Sequence, residues 1–249
     1  MLTPSGPEER MKILTWNCNG AFRKKIRNID VSKIDILIIQ ECENPDMVKF
    51  EDDFYNAFEH RLWVGDTKNK GLGVYSRNRI KKIDIDNKHH GRKLKHFIAF
   101  ADHNEQKYLA AWTHKNDCAA FQYIGQLYLL MEKNQEFIKN SIILGDLNSN
   151  TIWDEWDRWW NHSDIVKILT VYGIKSVYHV MNNEEQGKES QPTFFHRKDL
   201  LKSYHIDYIF SPQKLIENTR DFKIIKEDNL TEMSDHLALE WEYNELEET

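Results

Sequence analysis

Carboxylates, amides and histidines fall at the ends of apolar runs throughout this chain, and such groups pass protons or offer oxygen to a cation. ILTWNCNG places Asn17 just past one run, ILIIQE ends in Glu41, and LAAWTH ends in His114. IILGDLNSN presents Asp146 and Asn148 two residues apart, on one side of an extended segment, with Gly145 relaxing the turn. YHIDYIF carries Asp207 inside an apolar run, and SDHLALEW opens on Ser234, Asp235 and His236. A polar strand end is also what a solvated loop carries, so each position taken alone has two readings. Asp207 is the hardest to dismiss, because Ile206 and Tyr208 to Phe210 put it in or near a core, where a carboxylate needs a partner. That partner is either a basic residue in a salt bridge or a histidine that Asp207 holds in orientation.

The elements that position these residues alternate short strands with longer helices. Met11 to Trp16 and Asp35 to Gln40 read as buried strands, being apolar, rich in isoleucine and too short for helices. Between them, Phe22 to Asp30 has helical spacing. Leu62 to Val64, Gly71 to Ser76, Ile80 to Ile85 and Leu94 to Ala101 read as an antiparallel meander, followed by a strand from Tyr108 to Thr113. A helix is expected from Asn116 or Asp117 towards Lys139, then a strand from Ser141 to Leu144. A second helix is expected from Trp153 to Tyr172, closed by Gly173. Its tryptophans Trp153, Trp156, Trp159 and Trp160 read as a buried stripe rather than as rings for stacking on bases. Strands return at Ile174 to Val180, Pro192 to Phe195, Tyr204 to Phe210, Phe222 to Ile225 and Leu237 to Tyr243.

No repeat and no Pro/Gly/Ser linker divides the 249 residues. The expected organisation is a flexible N-terminal extension over residues 1–10 and a single α/β domain over residues 11–249. With 40% hydrophobic residues a large core is available, and 30% charged residues give a wettable surface. No apolar run approaches the roughly 20 residues of a membrane helix, and the N-terminus lacks the pattern of a secretory signal. Cys18, Cys42 and Cys118 are scattered, which argues against a disulfide framework or a thiolate zinc site and makes a reducing cytoplasm the expected compartment. The net charge of −6 is no footprint for nucleic acid as a whole, yet basic residues cluster at Arg23–Arg27, Arg77–Lys82 and Lys88–Lys95.

Taken together, WNCNG, QE, WTH, GDLN, HIDYIF and SDH resemble, in content and in order, the endonuclease/exonuclease/phosphatase superfamily. They run from residue 16 to 236, nearly the whole chain, and SVYHVMNNEEQGKESQPTFFH resembles a bacterial branch of it. The resemblance implies a DNase I-like α/β sandwich of two mostly antiparallel sheets with helices outside. It implies a metal-dependent phosphodiesterase using Mg²⁺, or Mn²⁺ in its place, with Glu41 as metal ligand and Asn17 and Asp235 beside it. Asp146 would orient and deprotonate water and Asn148 would bond that water or a phosphate oxygen. His236 would contact the phosphate, Asp207 would orient a histidine, and His114 would stabilise the phosphorane or the leaving oxygen.

Departures from the best-known branches keep the substrate open. Exonuclease III-type members carry a Lys two residues after the metal Glu, where this chain has Glu43, and a Tyr in the segment of His114. The basic clusters favour a nuclease, acting on DNA more than RNA and on no membrane. The alternatives are a small-molecule or lipid phosphodiesterase or phosphatase with the same site, and an inert binding protein on the same fold.

Overall fold

A computed structural model describes residues 10–115, 122–226 and 232–246. Two six-stranded sheets stack face to face. The first runs β15 (Thr219–Ile225), β16 (Ala238–Asn244), β1 (Arg10–Asn17), β2 (Ile36–Cys42), β4 (Lys70–Ser76), β3 (His60–Thr67). The second runs β11 (Ile174–Ser176), β14 (Asp207–Pro212), β10 (Ser141–Asp146), β9 (Lys107–Trp112), β8 (Phe97–Ala101), β5 (Lys81–Ile83). Two-stranded ribbons, β6 with β7 (Lys88–His89, Arg92–Lys93) and β12 with β13 (Phe194–Phe195, Ser203–Tyr204), sit outside the sheets.

Each sheet has one parallel pair at its centre, β1 with β2 and β9 with β10, and antiparallel pairs elsewhere. Parallel neighbours bring their C-terminal ends to one rim, so Asn17 pairs with Gln40 and Trp112 with Asp146. The residues that ended the apolar runs therefore meet at one place.

The central strands are apolar on both faces because both faces are covered. Ile13, Ile36, Ile38, Ile142 and Leu144 point between the sheets. Leu14, Leu37 and Ile39 face outward onto Phe22, Phe50, Phe54 and Phe58, around α1 (Phe22–Lys25) and α2 (Asp52–Ala57). On the other side Leu109, Ile143 and Phe210 pack on α3 (Ile124–Lys133) and α5 (His162–Val171). The result is the expected sandwich of two sheets between helical layers.

Several expected elements are shorter. The helix after Phe22 is one turn of α-helix and a 3-10 turn at Ile26–Asn28. The start expected near Asn116 lies outside the described residues. The rest is α3, which ends at Asn134, where that side chain bonds back to Leu130 O, followed by α4 (Gln135–Ile138). Val177 to Asn182 form helix α6 rather than continuing a strand, with α7 (Gln213–Ile216) later in the chain. The expected helix from Trp153 is corrected most: a 3-10 turn at Thr151–Trp153 precedes an irregular loop, and α5 starts at His162. Asn161 caps that helix in a reciprocal box with Asp164, which fixes its start after the tryptophans. Those tryptophans are not a buried stripe: Trp153 is 42% exposed, Trp159 56% and Trp156 96%.

Two predictions follow from this packing. Gly145 has φ +135, and a Cβ there would lie 1.9 Å from Ala111 O and 3.0 Å from Gln40 Nε2. Gly145→Ala is expected to destabilise by about 2–5 kcal/mol through strain and overpacking; an unchanged urea midpoint would contradict it. His96 and His162 are buried, and burial holds them down to about 4 and about 3, His96 helped by the charge of His114. Unfolded, each has the ordinary value of 6.5, so the folded protein resists protons that the unfolded chain accepts. Their contribution is whole above that value and is lost as pH falls towards 4, at about 1.4 kcal/mol per pH unit for each histidine. His96→Gln should therefore flatten the fall in urea stability between about pH 7 and pH 5; a slope equal to wild type would contradict this assignment.

Candidate active site

Asp146 ends β10 fully buried, and its carboxylate accepts three hydrogen bonds. Asn17 Nδ2 donates to Oδ2 at 2.9 Å from the end of β1, across the gap between the sheets. Asn148 donates its backbone N–H to Oδ1 at 2.8 Å and its Nδ2 to Oδ2 at 2.8 Å. The second Nδ2 proton of Asn148 goes to Thr113 O at 2.8 Å, leaving the amide oxygen to accept from a water. Asn148 reaches this position at φ +44, a left-handed conformation that asparagine tolerates better than most residues.

Asp207 stands opposite Asp146 in the β10–β14 register, and His236 lies against both. Its Nδ1 donates to Asp207 at 3.0 Å and 3.2 Å, so Nε2 faces Asp146 Oδ2 at 4.0 Å. The histidine reading of Asp207's partner is the one observed. Burial alone would strip the His236 proton, but the two carboxylates outweigh it and raise its pKa. Burial likewise raises Asp146, against the opposing pull of His236. The segment bearing His236 is sewn to β1: Ser234 Oγ donates to Asn17 O at 2.7 Å, and Trp16 Nε1 to His236 O at 3.1 Å. Asp235 is half-buried beside them, its carbonyl accepting from Phe195 N.

Glu41 occupies a β-bulge in β2, where the register with β4 slips between Gln40 and Cys42, and has φ +62. A non-glycine residue held there by its surroundings is a common mark of a functional position. Its carboxylate pairs with Lys70 Nζ at 2.8 Å, and that ammonium also sits 5.6 Å from the Trp112 ring centre. Lys70 thus brings to Glu41, from the β3–β4 hairpin, the cation missing at position 43. Glu43 is buried and pairs with Arg23 instead.

His114 lies further along the rim. Its Nδ1 donates to Lys115 O at 2.8 Å, so its Nε2 accepts from His96 Nδ1. Gln126 Nε2 bonds His114 O at 2.8 Å and fixes the segment. His114 therefore meets His96 rather than the Asp146 cluster.

The sequence reading missed Lys70 and His96. His96 precedes strand β8 as His114 follows β9, a polar strand end of the same kind. Lys70 gave no signal, because its contact is made across 29 positions.

The donor chemistry can be tested against a metal. Asp146, Asp207 and His236 place donor atoms within 4.8 Å of one another. Their oxygens and Nδ1 are already engaged with one another and with the two asparagines. Glu41, one residue past the Gln40 that pairs with Asn17, is a hard oxygen donor of the kind that suits Mg²⁺.

The basic clusters divide. Arg23 follows β1 to the site rim, where it pairs with Glu43, and Lys95 adjoins His96, whereas the ribbon at Lys88–Lys93 leaves from Asp86, which bonds Lys133 and Asn134 at the C-terminal end of α3. Arg77 to Lys82 lie at the opposite end of the sheets, where Arg77 donates to Val31 O and Ile34 O. Arg77 is thus structural, and the cluster does not face the site.

No curated protein matches the sequence. Similar folds occur in an AP endonuclease from Archaeoglobus fulgidus (20% identity, 95% of this chain and 100% of that one, TM-score 0.71). They also occur in the Neisseria 3′ phosphatase NExo bound to a product DNA hairpin (17% identity, 94% and 100%, TM-score 0.70). A third is the AP endonuclease LMAP from Leishmania major (10% identity, 97% and 90%, TM-score 0.63). The sequence pattern of the Endonuclease/Exonuclease/phosphatase family, whose members are phosphoric ester hydrolases that typically need a divalent metal, matches residues 14–236, and the chain belongs to that family.

Proposed function

We propose that this chain hydrolyses phosphodiester bonds of nucleic acid, DNA before RNA, with a divalent cation as cofactor. The observation that carries the reading is the buried Asp146 carboxylate, held by three donors beside a histidine that a second carboxylate orients. Asp146 aligns a water and takes its proton, and the amide oxygen of Asn148 accepts the water's other hydrogen. His236, its Nδ1 committed to Asp207, presents Nε2–H to a phosphate oxygen, where the negative charge grows during attack. Glu41, with Asn17 and Asp235 beside it, would hold the cation. A cation bound there polarises a phosphoryl oxygen and neutralises charge on the leaving oxygen. Lys70, paired with Glu41, would give up that carboxylate to the cation. His114, its neutral tautomer set by Lys115 and His96, would reach a phosphate by giving up the bond to His96.

Nucleic acid is favoured over a small or lipid ester by what surrounds this rim. Arg23, paired with Glu43 just past β2, and Lys95, beside His96, lie at its edge, and the exposed Trp153 lines the cleft next to Asn148.

The test is to incubate the protein with Mg²⁺ or EDTA against duplex, single-stranded and abasic DNA, RNA and a simple phosphodiester. Cleavage of polynucleotide in Mg²⁺ alone is expected. Glu41→Gln should abolish it, and Asp146→Asn or His236→Ala should slow it by at least ~10²-fold with circular dichroism unchanged. Turnover in EDTA would overturn the metal, and hydrolysis of the simple ester without polynucleotide binding would overturn the substrate.

A further inference from the structure

Next to Asn148 opens a cleft of 340 Å³, at the lower end of the range for small-ligand pockets. Its walls are the rings of Tyr123, at the start of α3, and of Trp153 and Trp160, in the loop that leads to α5. Trp160 is braced on one side by Gly125, where a Cβ would come within 3.0 Å of the ring, and capped by Arg158, 4.6 Å from its centre.

The loop is built to display these rings. Asn161 donates to Glu155 O and Arg158 O and accepts from Glu155 N, all at 2.9 Å. Asp154 spends both oxygens on the N–H groups of His162 and Ser163. Five side-chain bonds thus fix a segment in which Trp153, Trp156 and Trp159 stay exposed while Trp160 packs half-buried against the core.

His162 also lines this cleft, is only 1% exposed, and neither of its ring nitrogens meets a partner in full hydrogen-bond geometry among the described residues, Gln186 being close enough only to offset part of the burial that lowers its pKa. The Gln186 amide lies beside it, its own Oε1 likewise unpartnered. A neutral imidazole offers one donor and one acceptor, and groups buried without partners call for a ligand or water that supplies them.

We propose that this aromatic cleft receives the base of a nucleotide attached to the scissile phosphate, stacked against Trp153, with the Arg158 guanidinium that covers Trp160 as the facing wall and the base edge turned to His162. The assignment rests on the proposed nucleic-acid activity and specifies the substrate further: a strand whose base at that position is present and unpaired. A base fits better than a phosphate, since aromatic rings make up much of the wall, and its one cation, Arg158, lies flat over Trp160 and is balanced by the Asp154 carboxylate. Continuity with the Asp146 loop through Asn148 places the occupant next to the reacting bond.

The experiment compares wild type with Trp153→Ala and Trp153→Phe on single-stranded oligonucleotides that carry either a normal nucleotide or a tetrahydrofuran abasic residue on either side of the cleaved bond. Cleavage is read as kcat/KM in Mg²⁺, and binding as quenching of tryptophan fluorescence in EDTA. Trp153→Ala is expected to lose roughly 5- to 100-fold in both on the normal strand, the range of one base–aromatic stack. The loss should collapse on the oligonucleotide that lacks the base, and Trp153→Phe should recover most of it. Equal losses on both strands, or no loss on either while wild type still cleaves, would overturn the cleft and leave the nuclease reading standing. Wild type that neither binds nor cuts any strand would overturn both.

Discussion

A single hydrogen bond inside the sandwich, from Asn17 Nδ2 to Asp146 Oδ2, ties the centre of one sheet to the centre of the other. Taking a carboxylate out of water is costly unless donors replace its hydration. Asp146 is satisfied only when β1, β10 and the Asn148 turn are all in place. The same condition explains the absence of a side chain at Gly145, where β10 presses against Ala111 and the Gln40 amide. The fold and the site are thus one constraint seen from two sides.

A second carboxylate makes that constraint sharper. Asp207 sits directly across from Asp146 on the neighbouring strand, an arrangement that repels unless a cation intervenes. His236 supplies it, held by one carboxylate and facing the other. The strained bulge at Glu41, paired with Lys70, repeats the pattern at the rim: an acidic group kept in place by a nearby cation. Such groups cost stability, and the three apolar layers around the two sheets offset it.

Much of this is legible in the sequence. Glu41 and Asp146 stand out because apolar runs stop at them, Asp207 and His236 because such runs start at them, and parallel pairing at the centres with antiparallel pairing beside them gathers both kinds of end on one rim. Asp207 announced a buried partner, though not which one. Elements governed by local polar bonds were harder to read. The aromatic run after Asn150 mimics a helical stripe, yet Asn150, Asp154 and Asn161 bond their own backbone and stop a helix until His162. Ile174 to Val180 likewise carries strand-forming residues, but after Ser176 the chain turns into α6. The pairing of Lys70 with Glu41 and of His96 with His114 depends on strand register, which no local spacing encodes. The basic run at Arg77 misled for the same reason: its distance from the site is set by the length of β4.

The central claim is a division of labour, with a cation on the Glu41 side and a metal-free network of Asp146, Asp207 and His236. Crystals soaked in Mn²⁺ and measured at its absorption edge test it directly. The account predicts an anomalous peak against Glu41, with Lys70 displaced from that carboxylate and the His236–Asp207 bond intact. A peak enclosed by Asp146, Asp207 and His236, with Glu41 still paired to Lys70, would contradict it.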